Sequence, residues 1–110
     1  MTRPEIMGTL SMIKKRNHFS SLRIGLAGSY ARGDNNPTSD IDVVVDTDSM
    51  SIEHMEEIKN SFKDEKVDVL LLGLLKQEDD DLDAFLRELD LPINDESVYK
   101  NVAKEVVWCE

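Results

Sequence analysis

Ile6, Leu10 and Ile13 recur at helical spacing behind Thr2 and Glu5, which form a capping box with Pro4 inside it, so the pattern predicts a helix over residues 2–17. Its last turn carries Lys14, Lys15 and Arg16, which suit the negative end of the helix dipole as readily as they suit a ligand. The period then drops to two. Leu22, Ile24 and Leu26 alternate with Arg23 and Gly25, a strand with one buried face that ends at Gly28. Residues 33–39 are Gly, Asp, Asn, Pro, Thr and Ser, the composition of a loop.

Ile41 to Val45 reads as a second strand, rich in β-branched residues. Ser51 is placed to cap a helix whose stripe of Met55, Ile58 and Phe62 faces the core. Val67 to Leu72 is a third strand, and its nearly continuous apolar content predicts cover on both faces and a central place in the sheet. Leu82, Phe85, Leu86 and Leu89 then mark an amphipathic helix ending near Pro92, with the acidic run from Glu78 to Asp83 expected to cap its N-terminus. A short helix over residues 96–104, with Val98 and Val102 inward, leads to an edge strand at Val106, Val107 and Trp108. Asp46 and Asp48 read as turn and capping residues, and Tyr99 and Trp108 as packing residues. The expected organisation is one domain over residues 1–110, of α/β (α+β) class, with no internal repeat and no linker.

Charge alters this picture more than composition does. Thirteen basic and 23 acidic residues leave a net charge of −10, and the two signs are segregated. Residues 1–32 hold six basic side chains against Glu5 alone, whereas the remainder holds seven basic against 22 acidic. Direct nucleic-acid binding is therefore not expected, although a local basic patch can still receive a phosphate. The longest apolar run, Val69 to Leu72 with Gly73, Leu74 and Leu75, is far short of a membrane span, and no signal-peptide core is expected. Cys109 is the single cysteine, which excludes an intrachain disulfide and fits a reducing cytoplasm. At this length a substrate cleft walled on both sides is hard to build, so a partner or a second copy is expected to complete it.

Candidate chemistry concentrates between the first two strands. Asp40 and Asp42 are two apart at the start of a strand, so their side chains leave on one face. Carboxylates so placed repel unless a cation lies between them, and hard oxygen donors suit Mg²⁺. Gly28 and Ser29, where a strand turns into a short helical segment, offer backbone N–H groups and a hydroxyl to an anion. Arg32, one turn on, either adds positive charge to that cradle or pairs with a neighbouring Asp. A cradle beside a carboxylate metal site points to a nucleoside triphosphate with its metal. Asp68 interrupts the apolar third strand, where an ionised carboxylate is costly unless it is compensated or solvated, and it is the candidate third carboxylate.

The pattern Gly28-Ser29, ten residues, then Asp40-x-Asp42, with Ala31-Arg32-Gly33 inside and Ser39 just before, resembles the signature of the nucleotidyltransferase (polymerase beta-like) superfamily, in its minimal nucleotidyltransferase branch. The resemblance covers roughly residues 20–72. It implies a small mixed sheet flanked by helices, and transfer of AMP from ATP to an acceptor hydroxyl. Gly28 and Ser29, with Arg32 and Ser39 beside them, would then bind the nucleotide. Asp40, Asp42 and Asp68 would bind two Mg²⁺ ions, and Asp68 would also help remove the acceptor's proton.

Small members that this chain resembles are commonly the antitoxin half of a two-gene pair, partnered by a helical HEPN ribonuclease toxin that some of them adenylylate. Three readings follow: an adenylylating antitoxin, a non-catalytic antitoxin that neutralises by binding, and a catalytic subunit acting on a small molecule held by a separate chain. Homo-oligomer formation stays open, as does a role for the acidic run in meeting a basic partner.

Overall fold

A computed structural model describes residues 1–93 and 95–110. The chain runs α1 (Arg3–Lys14), β1 (Ile24–Ala27), α2 (Gly28–Arg32), β2 (Ile41–Val45), α3 (Ile52–Asn60), β3 (Val67–Leu71), α4 (Leu72–Glu88), α5 (Val98–Glu105) and β4 (Val107–Cys109). The strands form one mixed sheet in the order β3-β2-β1-β4; β1 is antiparallel to β2 and to β4, and β2 is parallel to β3. The α+β class with a small mixed sheet is therefore as expected.

Side-chain alternation along the strands divides the apolar residues between two faces. Ile24, Leu26, Ile41, Val43 and Val45 point into the larger cluster, where α1 and α3 supply Ile6, Leu10, Ile13 and Ile58. Ala27 and Val44 point the other way and meet Val102 of α5, with Leu70, Leu72, Leu75 and Trp108 around them. Residues two along from this second set, Asp42 before Val44 and Asp68 before Leu70, share its face by the same alternation.

The capping box is as read: Thr2 accepts from the Glu5 amide while Glu5 reaches back to the Thr2 amide. Helix α1 nevertheless stops at Lys14, short of residue 17, because the next residues wind through turns that carry Phe19 into the core with no exposed surface. Leu22 lies in those turns, and the strand opens only at Ile24. Ser51 caps α3 as expected, through the His54 amide.

Three expectations are corrected. β3 is an edge strand, not a central one. Its apolar content reports cover on two faces, Val69 against one cluster and Leu70 against the other, and says nothing about a hydrogen-bonding neighbour. Helix α4 begins at Leu72, directly from the end of β3, with the Gly73 amide tied to the Thr47 carbonyl at 2.9 Å. The acidic run therefore lies in mid-helix rather than at its N-terminus, and capping does not account for it. Finally, Leu82, Phe85 and Leu89 are 40%, 56% and 53% exposed, and Val98 is 61% exposed, so these four face outward where core packing was expected. Val102 is buried as read. Among the described residues no helix is long and apolar enough to cross a membrane.

Candidate active site

One open cleft of about 830 Å³ at the end of the sheet is lined by Gly28, Ser29, Arg32, Ser39, Asp40, Asp42 and Asp68, together with residues of α5. All seven sequence-derived candidates thus come together. Strand register explains the convergence. Asp42 pairs with Ala27 of β1 on one side and with Asp68 of β3 on the other, so Gly28, Asp42 and Asp68 stand side by side across one end of the strands. Neighbouring strands lie about 4.8 Å apart, which puts the Asp42 and Asp68 carboxylates within easy reach of one cation.

Gly28 holds φ +72°, a left-handed conformation that L side chains rarely adopt, and a Cβ there would collide with Oδ2 of Asp42. The backbone and the carboxylate are that close because nothing but a hydrogen separates them. Ser29 follows, and its carbonyl accepts from the Gly33 and Asp34 amides, closing α2 on a left-handed Gly33. Ser39 anchors the loop: its hydroxyl accepts from the Asn36 amide at 2.9 Å, and its own amide donates to the Asn36 carbonyl.

Burial pushes the Asp42 carboxyl above the ordinary carboxylate range, and the charges of Asp68, Asp40 and Glu105 push the same way against the opposing Arg32. Asp68 itself is exposed on its edge strand, so solvation removes the desolvation cost that its apolar neighbours suggest. Its presence in the cleft rests on register instead.

Among the described residues no three His, Cys, Asp or Glu side chains are grouped as a ready-made metal cage. The donors fit a hard cation of another kind, one that takes one or two carboxylates and completes its shell with water and phosphate oxygens. Asp42, made hard to ionise by burial and then by its acidic neighbours, is where such a charge is most needed.

Sequence reasoning missed Glu105. Its Oε1 accepts from the Gly28 amide at 3.0 Å and its Oε2 accepts from Arg32 at 2.8 Å, so one carboxylate engages two donors of the expected anion cradle. Arg32 also donates to Asp34 at 3.1 Å, the neighbouring-Asp pairing that its position allowed. The signal lay in strand pairing: Leu26 stands opposite Val107, and the same antiparallel register carried two residues outward sets Gly28 opposite Glu105. Asn101 and Lys104 of α5 join the cleft on the same side.

No curated protein matches the chain, and no solved structure does. The profile described as "Nucleotidyltransferase domain" matches residues 8–108, nearly the whole length, and extends from within α1 to Trp108 of β4. With the Gly-Ser turn and the Asp-x-Asp strand at one open end of a mixed sheet, this match places the chain in the nucleotidyltransferase domain family.

Proposed function

We propose that the chain transfers AMP from ATP to a hydroxyl on a partner protein, the acceptor oxygen bonding to the α-phosphorus as pyrophosphate leaves, with Mg²⁺ as the metal. The observation that carries this reading is the side-by-side placement of Gly28, Asp42 and Asp68, which joins an anion-holding turn to a pair of carboxylates on adjacent strands. Gly28 and Ser29 hold the phosphates through the backbone amide and the hydroxyl, Arg32 balances their charge, and Ser39 fixes the loop that delivers Asp40. Asp40 and Asp42, with Asp68 beside them, would hold the divalent cation, which supplies charge neutralisation at the phosphates when bound. Asp68, exposed beside the cleft, takes the proton from the acceptor hydroxyl as it attacks.

The cleft is open and its walls come from one small chain, so the acceptor supplies much of its own enclosure, as a folded protein does. By the resemblance of residues 20–72, that partner is a helical HEPN-type ribonuclease toxin and this chain is its antitoxin. Operation in the cytoplasm, where the lone buried Cys109 stays reduced, suits the reading.

One observation favours a second reading, neutralisation by binding without transfer: Glu105 already engages the Gly28 amide and Arg32. Intact-protein mass spectrometry separates the two. Mixed with the chain, ATP and Mg²⁺, the product of the adjacent gene should gain mass in units of AMP and lose its activity. Loss of activity with no mass change, by the parent chain and by Asp40→Ala alike, would establish binding alone.

A further inference from the structure

The second half of α4 extends past the packed part of the molecule with an uncovered apolar stripe, Leu82, Phe85 and Leu89, while Val98 of α5 stands beside it at 61% exposure. Between the two helices runs a groove lined by Leu75, Glu78, Asp79, Leu82, Val98 and Tyr99. Val98 also lines the active-site cleft, so groove and cleft share a wall.

The groove is electrostatically incomplete. Asp79 is 6% exposed, and its nearest cation is Lys100 at 3.7 Å, which also faces Asp83 at 3.5 Å. Two carboxylates thus lean on one ammonium, and Oδ1 of each is buried without a hydrogen-bond partner among the described residues. Glu78, Asp81 and Glu88 add to the negative field along α4, whose two cations are Lys76, already paired with Asp80 at 2.8 Å, and Arg87 in the last turn. A second copy of this chain is a poor occupant, because apposed α4 faces would set these like charges against each other.

We propose that the α4 stripe and the α4/α5 groove dock a helix of a different protein, one whose apolar ridge is flanked by Lys or Arg. The apolar ridge covers the stripe, and the basic flank meets the exposed carboxylates of α4, Glu78 in the groove wall among them. Through Val98, a protein seated there lies against the mouth of the cleft. That this protein is also the acceptor rests on the transfer reading; the docking does not.

A fluorescein-labelled amphipathic helical peptide of leucine and lysine, and its leucine and glutamate counterpart, provide the test by fluorescence anisotropy at physiological salt. The lysine peptide should bind the parent, and Phe85→Ser and Leu82→Ser should each weaken it on the order of tenfold. Both positions are exposed, so the fold is kept, and both substitutions leave the charge unchanged, so non-specific attraction is kept too. Equal binding by parent and variants would overturn the proposal. So would absence of binding, equal binding of the glutamate peptide, or a parent dimer in sedimentation that Phe85→Ser disperses. ATP calorimetry on the same variants should be unchanged, so a failure of nucleotide binding is read separately from a failure of docking.

Discussion

The carboxylate of Glu105 accepts from the Gly28 amide at 3.0 Å and from the Arg32 guanidinium at 2.8 Å, seventy-seven and seventy-three residues away along the chain. A phosphate that uses either donor must displace it. Glu105→Gln keeps the shape and an acceptor oxygen but removes the competing charge. Pyrophosphate should then bind about tenfold more tightly, the scale of one charge-assisted hydrogen bond, as read by calorimetry. Weaker binding would instead make Glu105 the residue that orients Arg32 for the ligand.

Gly28→Ala tests the close approach of backbone and carboxylate. The substitution meets both a left-handed φ and the Asp42 carboxylate, so it should cost about 1–3 kcal/mol in urea denaturation and abolish ATP binding together. Intact ATP binding in a destabilised protein would separate the turn from the site.

Asp42→Asn should stabilise the metal-free protein. Its raised pKa means that the folded state holds the proton more tightly than the unfolded state, so stability falls as pH rises from the ordinary carboxylate pKa through the raised value, and above that window the full penalty applies. Thermal melts in EDTA at neutral pH should show the variant above the parent by about 0.5 kcal/mol, a small gain because solvent screens a partly exposed group. The difference should vanish at low pH, where both proteins lack the charge.

What the sequence made legible was local. Gly28, Ser29, Asp40 and Asp42 lie within fifteen residues, and their spacing across a turn and a strand start can be read without the fold. The second strand, Ile41 to Val45, and the edge strand before the terminus follow from β-branched and apolar content in the same way. Glu105 was hidden because its meaning comes from the pairing of β1 with β4, which no local pattern encodes. The start of α4 was hidden because Leu71 and Leu72 suit strand and helix equally, and the switch is set by the Gly73 bond to Thr47. Leu82, Phe85 and Leu89 repeat as a core stripe does, and periodicity cannot tell a face covered by the same chain from one left uncovered.

Asp68 divides stability from chemistry. The side chain is exposed at the edge of the sheet, so Asp68→Asn should change stability by no more than about 0.5 kcal/mol. Transfer should fall by roughly 10²-fold or more, the scale of lost acid–base help. Transfer at the parental rate, read from the mass of the acceptor, would leave Asp68 as a solvated strand residue.

Calorimetric titration of ATP into the chain, in Mg²⁺ and again in EDTA, bears most directly on the cleft as a site for a nucleoside triphosphate with its metal. The parent should bind ATP measurably in Mg²⁺ alone, and the Asp40→Ala, Asp42→Ala double variant should lose that binding while its circular dichroism spectrum is unchanged. Equal affinity in EDTA and in Mg²⁺, or a double variant that binds as the parent does, would contradict the assignment of these carboxylates to the metal and the nucleotide.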